Sequence, residues 1–98
     1  MAEKIRVNYP ALEDMARKCR EAAARLRQTA ALGNQTAQQF QNGAMVGEFG
    51  EKFCEALQIF QGKVNKLADK FEEEAKDIQQ AMNDMRQADQ KAGSGFGR

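Results

Sequence analysis

The sequence predicts an all-α protein, an antiparallel hairpin of two long helices that dimerises into an elongated four-helix bundle. Three observations lead there. An apolar repeat of seven residues runs through both halves of the chain, an alanine series of the same period accompanies it in the first half, and a glycine-containing break falls near the middle. With 98 residues the chain makes one domain.

The first helix is expected at about residues 9–42. Pro10 follows Asn8 and Tyr9 and precedes Glu13 and Asp14, which reads as a helix start with acidic residues near its positive end. Leu12, Cys19, Leu26, Gly33 and Phe40 then recur every seven residues, as do Met15, Ala22, Thr29 and Thr36. Beside them runs the series Ala16, Ala23, Ala30, Ala37. Side chains this small let a second helix approach closely along that row.

Asn42 and Gly43 supply a stop signal, and the turn is expected at about residues 43–47. The second helix, at about 48–92, carries Leu57, Val64, Phe71, Ile78, Met85 and Ala92. A flanking row begins as Phe53, Phe60 and Leu67 and continues as Ala75, Met82 and Asp89, a shift of one position that matches the drift of a 3.6-residue turn against a seven-residue repeat. The expected core of the hairpin and of its dimer is Leu12, Met15, Ala16, Cys19, Ala23, Leu26, Ala30, Ala37 and Phe40 on the first helix and Phe53, Leu57, Phe60, Val64, Leu67, Phe71 and Ile78 on the second. Antiparallel pairing about residues 44 and 45 sets Arg17, Lys18 and Arg20 against Asp69, Glu72, Glu73 and Glu74. A flexible tail, loosened by Gly93, Gly95 and Gly97, is expected at about 93–98 and could become ordered on a receptor.

Charge and composition narrow the function. The formal net charge is +1, divided as +3 over residues 1–42 and −2 over residues 43–98, so the basic residues are answered within the hairpin. Nothing favours nucleic acid, since no aromatic residues interleave with the basic ones. No apolar run is long enough to enter and span a membrane, and MAEKIRVNYP lacks the apolar stretch of a secretory signal. Cys19 and Cys54 are separated by about sixteen residues along the paired helices, roughly 24 Å, which is beyond disulfide reach within one chain and favours reduced core thiols over an intermolecular bridge. With no histidine and only Ser94 as a serine, the chain cannot assemble a Ser/His or Cys/His nucleophile. Two distant cysteines do not make a zinc site, and consecutive Glu72, Glu73 and Glu74 point around a helix instead of into a cleft. No enzyme activity, cofactor or metal is expected.

A chain of this length, read as a helical hairpin with a short central turn and an apolar-x-x-x-Asp-x-x-apolar-x-x-x-apolar ending, resembles the WXG family of small type VII secretion proteins. Met85, Asp89, Ala92 and Phe96 match the C-terminal export pattern of the Gram-positive members. IRVNYPALEDMA resembles the usual start of the family. At the turn, Met45, Val46 and Gly47 stand where the family has Trp-x-Gly, so the glycine is kept and the tryptophan is not.

The resemblance implies a substrate or structural partner of a type VII secretion system, exported folded from the cytoplasm without a cleaved leader. It also implies that the turn of one subunit and the tail of its partner together form the surface read by the secretion ATPase. The expected partner is a second copy, a related small helical protein, or the helical domain of a larger toxin. In the last case the protein is a cytoplasmic adaptor or chaperone for that toxin. Roles in virulence or interbacterial competition follow from the resemblance alone. Met45 either seals the end of the bundle or takes part in that surface.

Overall fold

The computed structural model describes residues 7–44 and 47–96. Two long helices account for nearly all of them: α1 (Tyr9–Gln39) and α2 (Glu48–Phe96), with a π-helical segment, Phe40–Ala44, continuing α1 into the turn. They fold back on each other into a rod of 77 × 22 × 16 Å. The two-helix hairpin expected from the heptads is the observed architecture.

The side chain of Asn8 starts α1 by accepting a hydrogen bond from the Ala11 amide at 3.1 Å, with Pro10 in the first turn, where its missing N–H costs nothing. The Asn42–Gly43 stop does not act as expected. The backbone passes through both residues as a π-helical turn, and the reversal falls beyond Ala44. At the far end α2 runs to Phe96, four residues past its expected limit, so the expected flexible tail is helical over 93–96.

The later reversal changes the register. Phe40 meets Phe53 with ring centroids 4.9 Å apart, Arg27 bonds Asp69 and Glu72, Arg86 bonds Glu13, and Tyr9 bonds Asp89. Residue i therefore lies opposite about 93 − i near the turn and 98 − i at the other end, not 89 − i. Arg27, at 2.7 Å from Asp69 and 2.9 Å from Glu72, takes the cross-helix role assigned to Arg17, Lys18 and Arg20. Arg17 and Lys18 pair within α1 instead, Arg17 with Asp14 and Glu21, and Lys18 with Asp14. Both hold Asp14 below the usual carboxylate range.

The α1 side of the seam is made of small side chains. Ala16, Ala23, Ala30 and Ala37 are all buried, and they face an α2 row of Cys54, Gln61, Ala68, Ala75 and Met82. This corrects the reading of a row that shifts by one position. Ala75 and Met82 continue Cys54, Gln61 and Ala68 at a constant spacing of seven, while Phe53, Phe60 and Leu67 belong to a different, exposed row. Both cysteines are free thiols: Cys54 is buried in the seam, its thiol 3.5 Å from the Ala37 carbonyl, and Cys19 is half-buried.

Gln61 is the polar member of the seam. It lies against Gly33, where an added Cβ would come 3.3 Å from its Cγ, and its buried Nε2 has no hydrogen-bond partner. An orphaned buried donor costs about 1–3 kcal/mol. Replacing Gln61→Met, which keeps the length and removes the donor, should raise the free energy of unfolding by about that amount, seen as a higher urea midpoint. Ala68→Leu, which forces a large side chain into a fully buried position, should lower stability by about 1–3 kcal/mol. Equilibrium unfolding followed by circular dichroism measures both.

Candidate functional site

The seam divides the hairpin into two unlike sides. Three residues beyond each seam position stand Cys19, Leu26, Gly33 and Phe40 on α1 and Leu57, Val64, Phe71, Ile78 and Met85 on α2, with Leu12 extending the first row. Four residues beyond stand Arg20, Arg27, Asn34 and Gln41, and Gln58, Asn65, Glu72, Gln79 and Arg86. Antiparallel helices put equal offsets on the same side. One side of the rod is therefore continuously apolar and the other continuously polar.

Of the large side chains in these two rows, Val64 alone is buried by the hairpin itself, among the described residues. Leu12, Cys19, Leu26, Phe40, Leu57, Phe71 and Ile78 are half-buried. The outer row is open: Met15 is 52 % exposed, Phe60 50 %, Leu67 46 % and Phe53 39 %. Of the residues expected in the core, then, Ala16, Ala23, Ala30, Ala37 and Val64 pack inside the hairpin, and the rest form a face that a single copy leaves uncovered. Large contiguous apolar patches of this kind mark interaction surfaces. The seam residues Cys54, Ala68, Ala75 and Met82 were not all among those expected, and their constant spacing of seven is the signal that identifies them.

At the turn, Met45 and Val46 lie outside the described residues. Gly47 has a φ of +111° and precedes α2, whose first backbone hydrogen bond runs from the Glu51 amide to the Gly47 carbonyl at 3.1 Å. Space is open around its Cα, so the requirement is for the dihedral and not for room. That gives the glycine of the turn motif a physical reason. Nearby, Phe49 stacks on Phe53 with centroids 6.4 Å apart. Among the described residues, no group of three His, Cys, Asp or Glu side chains could hold a metal ion, and no helix is long and apolar enough to cross a membrane.

Met85, Asp89, Ala92 and Phe96 all fall on α2, spaced along one helix face. Met85 ends the apolar row and is 38 % exposed, Ala92 is exposed, and Phe96 is the last residue of the helix. Asp89 is engaged from α1: its Oδ2 accepts a hydrogen bond from the Tyr9 hydroxyl at 2.9 Å. Arg86 sits 4.8 Å over the Tyr9 ring and donates to Glu13 at 2.8 Å. Desolvation against the neighbouring helix, the hydrogen bond to Asp89 and the Asp89 charge raise the Tyr9 phenol above its ordinary value, and the Arg86 charge opposes them. This cluster was not anticipated, because the expected register placed Tyr9 away from Asp89.

Two expectations follow. Gly47→Ala should cost about 1–3 kcal/mol in an unfolding titration, the strain of a side chain held at that φ. A phenol raised in the folded state adds stability that is complete below about pH 10 and is lost as pH rises through the folded value. Subtracting the stability profile of Tyr9→Phe from that of the unaltered protein should isolate this high-pH loss.

The family model WXG100, described as proteins of 100 residues with WXG, matches residues 4–90. The match takes in the Met45-Val46-Gly47 turn and stops before Ala92 and Phe96. No curated protein and no solved structure gives a significant match.

Proposed function

The chain belongs to the WXG100 family, and from that premise we propose that it is a non-enzymatic substrate or structural partner of a bacterial type VII secretion system, exported as a folded dimer. The observation that carries the reading is the apolar side of the hairpin, where Met15, Phe53, Phe60 and Leu67 stand open along a rod that has little other core. Proteins of the family generally pair with one another or with related proteins. A second hairpin laid on this face completes a four-helix bundle and buries those side chains.

A second copy fits the face. The outer row of α2 is bulky toward the turn, with Phe53, Phe60 and Leu67, passes through the exposed Glu74, and is smaller toward its end, with Ala81 and Ala88. Two copies packed antiparallel set the bulky half of one against the small half of the other. The next row outward holds Lys63 and Lys70, then Asp77 and Asp84, all exposed. None of the four makes an ion pair within the hairpin, among the described residues. The same antiparallel register brings Lys70 toward the second copy's Asp77 and Lys63 toward its Asp84. The equivalent row of α1, Lys18, Arg25 and Leu32, offers no such match, so the α2 edges define the pairing.

The absence of tryptophan from the whole chain favours a second reading, in which the protein pairs in the cytoplasm with the helical region of a larger toxin that supplies the missing turn element. Size-exclusion chromatography with light scattering separates the two. A stable homodimer supports the first, and a poorly folded monomer rescued by co-expression supports the second.

For the homodimer, Phe60→Asp should weaken association by about 2–4 kcal/mol, as expected of a large aromatic side chain buried at an interface. Lys70→Asp should weaken it slightly, and adding Asp77→Lys should restore it. For export, the secreted fraction of a host culture should lose the protein on Asp89→Ala while helicity and dimerisation persist. Normal secretion of that variant would sink the signal assignment.

A further inference from the structure

We propose that the surface around Asp89 is assembled from both ends of the chain, with Tyr9, Glu13 and Arg86 as positioning residues that hold the last turns of α2 against the start of α1. The proposal rests on the reading of Met85, Asp89, Ala92 and Phe96 as the export signal. A receptor would then meet a docked helix presented by two elements rather than a loose peptide.

The cluster has three linked contacts. Tyr9, eighty residues from Asp89 in sequence, donates its hydroxyl proton to Oδ2. The Arg86 guanidinium lies over the same ring and binds Glu13, one turn along α1 from Tyr9. Each contact is solvent-exposed and modest alone, but Tyr9 and Arg86 each take part in two of them, so the loss of either loosens both. The contacts also sit where they matter most. Opposite Tyr9 the seam ends, the last buried seam residue is Met82, and residues 90–96 extend about 10 Å past the first residue of α1. Holding residues 86 and 89 fixes the direction in which that extension leaves the bundle. A carboxylate has about four acceptor sites on its two oxygens, so Asp89 can keep the phenol and still accept a donor from a receptor. Ordering of the segment before docking lowers the entropic cost of recognition.

Tyr9 is the only tyrosine and the chain has no tryptophan, so absorbance of the full-length protein near 295 nm reports this phenol alone. The unaltered protein should titrate above the usual value of about 10, and Asp89→Asn should bring the midpoint down toward it. Tyr9→Phe keeps the ring under Arg86 and removes only the hydroxyl. It should cut export by about five-fold, the scale of one hydrogen bond, with unchanged helicity, and the double variant Tyr9→Phe/Asp89→Asn should export no less than Asp89→Asn alone. A phenol midpoint indifferent to Asp89→Asn would overturn the proposal. So would full export of Tyr9→Phe alongside blocked export of Asp89→Ala, which leaves the signal on α2 alone and the proposed function intact. Normal export of Asp89→Ala defeats the reading beneath both.

Discussion

Everything else in the hairpin depends on the smallness of its seam. Ala16, Ala23, Ala30 and Ala37 present one methyl group each to α2, and Ala68 and Ala75 answer in kind. Methyl groups in contact allow two backbones to run close together, but they remove little apolar surface from water. Apart from Met82 and Val64, the large apolar side chains find little room within the pair. They collect on one side, three residues beyond the seam, while charged and amide side chains take the other. A seam of leucines would have given a self-sufficient hairpin and no reason for a second one.

That arrangement explains what the sequence disclosed and what it withheld. Every row repeats at seven, so periodicity announced two packed helices but did not say which row faced which. The asymmetry between the third and fourth residues beyond each alanine holds the answer: Leu26 against Arg27, Phe71 against Glu72, Met85 against Arg86. Register was harder. Asn42 and Gly43 have the chemistry of a helix stop, yet the backbone keeps turning through them as a wider, π-helical coil. A few residues' delay at the turn becomes a shift along the whole rod, which moved the inter-helix arginine from residues 17–20 to Arg27 and hid the meeting of Tyr9 with Asp89. Contacts between distant residues inherit any error made at the bend.

Local propensity also misjudged the far end. Gly93 and Gly95 weaken a helix by about 1 kcal/mol each relative to alanine, but α2 extends through both. Met85, Asp89 and Ala92, which the proposal reads as part of a signal, share one helix face because they lie on one helix, a geometry already present in the folded hairpin. At the turn the position is reversed. The motif glycine was legible in the sequence, whereas its reason, a backbone angle closed to other residues, needed coordinates.

The rod's dimensions have a further meaning. Its section is 22 × 16 Å while its length is 77 Å. A second rod laid on the apolar side, as proposed, would add to the thin dimension and leave the width nearly unchanged, about twice 16 Å one way and 22 Å the other. If the pair is exported folded, as proposed, a conduit admitting it end-on would be gauged by that section. Under that proposal length sets only how long the passage lasts, and association sets the bore.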